Sequence, residues 1–279
     1  MKKFIALKRA PRGTSVATPA KGRRIRLTVA RRIMADYMWA ASGVARADII
    51  RPVALRQLIA VRSQFRKPPS WTAIFAKAFA IVAVEIPELR RAYIKYPWPY
   101  LYEYAESTVN IASEREIMGD IGLLPIRFRQ PEAFPLEVLS QMIHQAADTP
   151  IEQTRFYRTV IRTARLPLFI RRLVWTFTLN VPKARRYAFG TYAVSSVARW
   201  KTELGTTRSP VPCLLSYGPM DTDGNVDVRL NIDHRILDGG LAARVVSRLE
   251  EVLNSSILEE LRELAKLESV GSERQSRSC

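Results

Sequence analysis

Two histidines, His144 and His234, are the residues of this 279-residue chain best suited to proton transfer near neutral pH. The unperturbed pKa of histidine lies nearest neutrality, so it is the first candidate for a general base. His144 lies inside a helical pattern and is interpreted as a surface or core-edge residue. His234 follows an alternating apolar run and precedes the carboxylate of Asp238 by four residues. His234 is therefore the candidate base, and a purely structural histidine at a strand end is the competing interpretation.

The elements that carry His234 can be predicted from turn signals and alternation. Asp223 and Gly224 form a strong hairpin-turn signal, and apolar residues at positions 226, 228, 230 and 232 then alternate with polar ones. This pattern predicts a strand with His234 at its end. Asp238 and the two glycines after it predict a turn, followed by a helix at about 241–253.

Other segments complete a mixed pattern. Helical spacing marks residues 31–41, 53–65 and 135–147, and Ser70 is a plausible N-cap of a helix at about 71–84 that is apolar nearly all round. Such a helix is usually buried. Strands are predicted at 107–112 and 212–217. An antiparallel hairpin combined with separate helices indicates an α/β or α+β two-layer sandwich, with helices packed on a mixed sheet, rather than a doubly wound parallel sheet.

The net charge of +18 is concentrated in two segments. Residues 1–35 and residues 154–202 each contain eleven Lys and Arg and no acidic residue, whereas the remainder has 22 basic and 26 acidic residues. Any binding of a polyanion must therefore involve these two segments. Charge alone would give salt-sensitive binding to nucleic acid, but no recognised nucleic-acid motif supports that interpretation.

Cysteine usage and hydropathy indicate the compartment. Cys213 and Cys279 are the two cysteines, which provide neither a disulfide framework nor the spacing of a metal site. The chain has no run approaching the ~20 uncharged apolar residues of a spanning helix, and the apolar start is too short for a signal peptide. We therefore expect a cytoplasmic protein without a metal site.

One domain is predicted over residues 25–269, between a flexible basic arm at 1–24 and a disordered tail at 270–279. A basic amphipathic insertion occupies about 148–186, where Arg155, Arg158, Arg162 and Arg165 form one stripe of a helix that Pro167 ends. Basic residues beside aromatic ones are typical of peripheral binding to an anionic membrane surface, or of a cover over a hydrophobic substrate channel. A solvated basic face over an ordinary core is the simpler alternative.

The sequence resembles a known family in several segments. Residues 233–240 (Asp-His-Arg-Ile-Leu-Asp-Gly-Gly) resemble the C-terminal signature of the dihydrolipoyl acyltransferases, the core subunits of 2-oxoacid dehydrogenase complexes. Residues 190–196 (Gly-Thr-Tyr-Ala-Val-Ser-Ser) resemble that family's Gly-Thr-Phe-Thr-Ile-Ser-Asn, and residues 27–34, 84–89 and 109–112 match further segments in order. The resemblance covers roughly residues 25–255. It implies a chloramphenicol acetyltransferase-like fold and an acyltransferase catalytic domain.

The resemblance also implies roles for four residues. His234 would take the proton from a thiol that attacks an acyl thioester, and Ser195 would donate a hydrogen bond to the oxyanion, with Ser196 as a rival shifted by one residue. Asp238 would form a buried ion pair with Arg31, with the adjacent Arg32 as the alternative. A plain strand hydroxyl at Ser195 and an ordinary turn at Asp238 are the simpler interpretations.

The family also implies substrates and partners. Coenzyme A, as acyl-CoA, would be a substrate. Because the 24-residue arm is too short to contain a lipoyl domain, either a lipoyl group would come from another polypeptide or the acyl acceptor would be something else. The family pattern further implies a homotrimer with its active site between subunits, and trimers of this kind can assemble into cages. A non-catalytic scaffold that keeps the fold is the alternative, against which the intact His234, Asp238 and Ser195 argue.

Overall fold

The computed structural model describes residues 22–276 and shows a six-stranded mixed sheet with a separate two-stranded hairpin. The order in the large sheet is β1-β8-β7-β6-β4-β5, and the hairpin pairs β2 with β3. The short strand β6 is parallel to both of its neighbours, whereas the other pairs in the sheet are antiparallel. The strands are β1 (Arg46–Ala54), β2 (Arg91–Ile94), β3 (Tyr100–Glu103), β4 (Thr108–Ile117), β5 (Asp120–Arg129), β6 (Tyr192–Ser195), β7 (Cys213–Met220) and β8 (Asn225–Asp233).

Helices occupy the connections between these strands. The helices are α1 (Val29–Ala41), α2 (Arg56–Arg62), α3 (Trp71–Glu85), α4 (Leu136–Asp148), α5 (Arg155–Arg165), α6 (Leu168–Asn180), α7 (Pro182–Phe189), α8 (Gly239–Val252) and α9 (Leu258–Ser276), with a π-helical turn at Leu253–Ile257 between the last two. The observed architecture confirms the predicted class, a mixed sheet with helices packed on it.

The main core lies between one face of the sheet and helices α3, α4 and α8. Ten residues of α3 are buried, as its apolar sequence predicts, and the Ser70 hydroxyl caps the helix by accepting a hydrogen bond from Ala73 N at 3.2 Å. The apolar positions of β8 at 226, 228, 230 and 232 all face this core, so their polar neighbours face the other side of the sheet.

The segment predicted as an insertion, 148–186, contains α5 and α6 and most of α7, which ends at Phe189. They cover part of the second face of the sheet together with α1, where Tyr37, Trp175 and Phe189 pack around Ala193 of β6 and Leu214 of β7. The predicted basic arm, 1–24, lies almost entirely outside the described residues. Helix α9 continues to Ser276, so helical structure extends into the tail predicted to be disordered.

Cys213 is a fully buried thiol at the start of β7. Burial raises its pKa to about 12, because the thiolate would lose its hydration. We expect the native protein to leave Cys213 unmodified by iodoacetamide at pH 8, since only about one thiol in 10⁴ would be ionised. Peptide mass spectrometry before and after denaturation measures this. Rapid native labelling of Cys213 would contradict the burial described here.

Candidate active site

His234 lies immediately after β8, where the strand leaves the sheet. Its backbone N–H donates to Ala45 O at 2.7 Å, and the preceding residue donates from Asp233 N to Pro212 O at 2.8 Å. The imidazole itself is 51% exposed. A fixed backbone therefore presents a solvent-accessible ring, as a proton-transfer group needs. The other histidine, His144, is an exposed residue on α4.

Charged residues on either side of His234 hold this position. Asp233 is fully buried and accepts hydrogen bonds from Arg235 at 2.8 Å (Nε) and 2.7 Å (Nη2). These bonds raise the pKa of Arg235. The Arg235 guanidinium also lies 4.3 Å from the Tyr93 ring centroid and donates to Gly43 O. Sequence analysis did not single out this pair, although opposite charges at positions 233 and 235, on either side of the candidate base, were a usable signal.

Asp238 and Arg31 do not form the expected ion pair within the described chain. The Asp238 carboxylate is 91% exposed, and its Oδ1 lies 3.7 Å from His234 Nδ1, beyond normal hydrogen-bond length. Arg31 instead places Nε 3.7 Å from Asp120 Oδ2. The reason is distance: Arg31 is in the first turn of α1, whereas Gly43 and the rest of the His234 surroundings lie beyond its other end, about 15 Å away at 1.5 Å per residue. Arg32 lies at the same remote end.

Ser195 ends β6, and the structure distinguishes it from its rival. The Ser196 hydroxyl donates to Tyr217 O at 2.8 Å and accepts from Ala198 N at 3.1 Å, so it serves the loop. The Ser195 side chain is half-buried and has no hydrogen-bond partner among the described residues. It also projects to the face opposite Val194, away from the main core. Ser195 is therefore the serine whose hydroxyl could act on a ligand.

The Gly-Thr pair before β6 locks this strand in place. Gly190 has a φ of +68°, and a Cβ there would lie 2.5 Å from Thr108 O, so the position requires glycine. The Thr191 hydroxyl accepts from Thr108 N at 2.9 Å and donates to Thr108 O at 3.2 Å. The next residue, Tyr192, is buried, and its hydroxyl donates to Ala76 O of α3 at 2.7 Å. The four-residue strand carrying Ser195 is thus fixed to both β4 and α3.

His234 and Ser195 lie far apart in the sheet, since Ser195 is level with the middle of β8 and His234 follows its end. The register pairs Ser195 with Ser216 of β7, and Ser216 with Arg229 of β8. Arg229 precedes His234 by five residues, which is roughly 17 Å along an extended strand. β7 also separates the two strands. The two side chains therefore cannot contact one small substrate group within a single chain.

Each half of this arrangement suits a different chemical task. The imidazole of His234 is a side chain of the type that serves as a general base. The Ser195 hydroxyl can donate to a developing oxyanion.

Within residues 22–276 no group of three or more His, Cys, Asp or Glu side chains is placed to hold a metal ion. In the same residues, each helix is too short or too polar to cross a lipid bilayer.

The fold is that of the dihydrolipoamide acetyltransferase catalytic cores, as the sequence resemblance predicts. A structure of the Azotobacter vinelandii dihydrolipoamide acetyltransferase superposes with a TM-score of 0.64 and 16% identity, covering 91% of this chain and 100% of that one. A probable dihydrolipoamide acetyltransferase from Listeria monocytogenes gives 0.59 and 18%, covering 84% and 94%.

The cubic core of the pyruvate dehydrogenase multienzyme complex gives a TM-score of 0.62 at 16% identity, covering 91% of this chain and 100% of that one. No protein-family model matches the chain, and no curated protein does. The Azotobacter vinelandii structure belongs to an investigation of a serine, a histidine and, four positions after the histidine, an asparagine in that enzyme's catalytic mechanism.

Proposed function

We propose that the protein is an acyltransferase that moves an acyl group between a coenzyme A or lipoyl thioester and a thiol or other nucleophile. The observation that carries the proposal is the exposed imidazole of His234, held by a buried frame in a fold shared with dihydrolipoamide acetyltransferases. Asp238 follows His234 by four residues, the spacing of the histidine and asparagine studied in the Azotobacter vinelandii enzyme.

The proposed reaction needs a base and an oxyanion donor. His234 accepts the proton of the attacking thiol as its sulfur bonds to the thioester carbonyl carbon, and the carbonyl π electrons move to oxygen. Ser195 donates a hydrogen bond to that oxyanion, an interaction worth ~3 kcal/mol. Collapse of the tetrahedral intermediate breaks the original carbon–sulfur bond, and the departing thiolate takes the proton from the imidazolium. No net proton or electron is consumed.

The separation of His234 and Ser195 within the chain leads us to propose a shared site. A cyclic homotrimer can bring the His234 end of one chain to the Ser195 end of its neighbour, giving three equivalent sites. One similar structure is the cubic core of the pyruvate dehydrogenase multienzyme complex, which supports higher assembly of such trimers.

A thioester panel tests the reaction. Acyl-CoA substrates of increasing chain length are incubated with free dihydrolipoamide. The release of coenzyme A and the formation of the new thioester are both followed. We expect turnover of at least one chain-length class above the rate without protein. If none of these substrates is consumed, the chain acts instead as a non-catalytic scaffold of the same fold, and the proposal is overturned.

Mixed oligomers test whether neighbouring chains share a site. Ser195→Ala and His234→Ala chains are each expected to be nearly inactive alone. When they are co-assembled in equal amounts, a site is intact only if its histidine and its serine come from different variants. Random assembly then restores about one quarter of all sites, which is about one site in three within the mixed trimers. Differently tagged chains, purified through both tags, are assayed for thioester turnover.

The matched control replaces Ser195→Ala with a chain carrying both substitutions. Mixed with His234→Ala, that chain offers no intact histidine, so its oligomers should stay inactive. Verified mixed oligomers of the two single variants that remain at background would refute a site shared between chains, and would do so without refuting acyl transfer by the wild-type protein.

A further inference from the structure

Helix α6 exposes a row of large apolar side chains to solvent, unlike an ordinary surface helix. Phe169, Leu173 and Phe177, spaced four residues apart on one face, are 67%, 68% and 63% exposed. No residue of this helix is buried. We call these three side chains the α6 apolar face. A helix on a soluble domain normally turns such a face toward the core.

The opposite side of α6 holds the helix to the protein through charge. Arg171 Nε lies 3.3 Å from Asp36 Oδ2, and Arg172 Nη1 lies 3.2 Å from Asp36 Oδ1. Asp36 is a buried residue of α1, and the Arg172 guanidinium lies 4.2 Å from the Trp39 ring centroid. This triad fixes the rotation of α6, so that its apolar face points to solvent in the chain.

Basic and aromatic groups border the α6 apolar face. The preceding helix, α5, exposes Arg155, Arg158, Arg162 and Arg165, none of which pairs with a carboxylate in the described part of the chain. Both helices contact α1. At the other end of α6, Asn180 Oδ1 accepts from Lys95 N at 3.0 Å and Tyr96 N at 2.9 Å, which brings the loop between β2 and β3 alongside, with the highly exposed Trp98.

We propose that the α6 apolar face docks on a lipid membrane containing anionic headgroups. Phe and Leu side chains would enter the headgroup–acyl boundary, the arginines of α5 would meet lipid phosphates, and Trp98 would lie at the interface that tryptophan prefers. Residues 154–202 contain no acidic residue to oppose this approach. The proposal does not depend on the acyl-transfer mechanism.

Charge distinguishes a membrane from a second copy of the chain as the occupant. Two copies meeting through this face about a twofold axis would place the unpaired arginines of one α5 near those of the other, and like charges across an interface are unfavourable. An anionic lipid surface supplies the opposite charge at every arginine, each worth about 1 kcal/mol, or roughly fivefold in binding.

Vesicle flotation tests the proposal with the full-length protein. We expect wild type to float with phosphatidylcholine vesicles containing about 30% phosphatidylglycerol and to float much less with phosphatidylcholine alone. Phe169→Ser, Leu173→Ser and Phe177→Ser together should lower partitioning at least about tenfold. Arg158→Gln with Arg162→Gln should lower it by about 25-fold on the anionic vesicles and little on the neutral ones.

The control substitutes three exposed apolar residues of other helices, Val84→Ser, Val138→Ser and Leu267→Ser, and should bind like wild type. Equal flotation of wild type and the α6 variant, or equal binding to both vesicle types, overturns the proposal. So does a smaller oligomer of the α6 variant by light scattering, since that would make the face a contact between copies. Thioester turnover in solution is measured in parallel, so failure here is separate from failure of the enzyme proposal.

Discussion

His234→Ala should reduce thioester turnover by about 10²- to 10⁴-fold, the range that a positioned general base contributes. That loss corresponds to ~3 to 5 kcal/mol of transition-state stabilisation. The imidazole is half-exposed and its backbone contacts with Ala45 do not involve the side chain, so stability should change little. Steady-state kinetics with the best acyl-CoA substrate, compared with the thermal midpoint, separate the two effects.

His144→Ala is the matched control because it removes the other histidine, an exposed residue on α4, and should leave turnover unchanged. Full activity in His234→Ala would eliminate the proposed base.

Asp36→Ala should cause a large loss of stability, ~3 kcal/mol or more. Its carboxylate is 2% exposed and pairs with Arg171 and Arg172, so removal leaves two guanidinium groups without their anion in a largely buried place. Burial raises the pKa of this carboxyl, and the two arginines oppose that shift. Urea unfolding at one fixed protein concentration gives the change in the free energy of unfolding.

Glu114→Ala provides the comparison, because its pair with Arg199 is exposed and should contribute less than about 1 kcal/mol. If Asp36→Ala does not fold, a chain with Asp36→Leu, Arg171→Met and Arg172→Met should recover most of the stability, since apolar groups can replace a buried ion cluster. Asp36→Ala as stable as Glu114→Ala would show that the cluster does not hold α6.

The elements that could be predicted from the sequence are those whose signal lies within the element itself. The strand β8 and the helix α3 were correctly predicted because one face, or all faces, of each meets the core. The strands β2, β3 and β5 were missed, and Pro125 and Gly122 interrupt the β5 pattern. Residues 53 and 54 were assigned to a helix but extend β1, because pairing with β8 overrides their local periodicity.

The candidate site divides in the same way. The positions of His234 at a strand end and of Ser195 in the Gly-Thr segment could be predicted because sequence motifs surround them. The pairing of Asp238 with Arg31 could not be judged, because it depends on a distance along α1 that no motif encodes. Likewise, the hydrogen bonds from Arg46 to the carbonyls of Ser209 and Val211 could not be predicted, because they depend on a loop distant in the sequence.

The clamp between Thr191 and Thr108 bears on how the protein reaches its native state. It joins residues 83 apart, and the whole of the insertion lies inside that loop. The entropic cost of closing a loop grows only logarithmically with the length of the loop, at about 0.6 kcal/mol for each doubling. The chain can therefore accommodate the three helices α5 to α7 there at little thermodynamic cost. The kinetic consequence is larger. Contacts this distant form slowly, so Ser195 should reach its position late, after the local helices have formed.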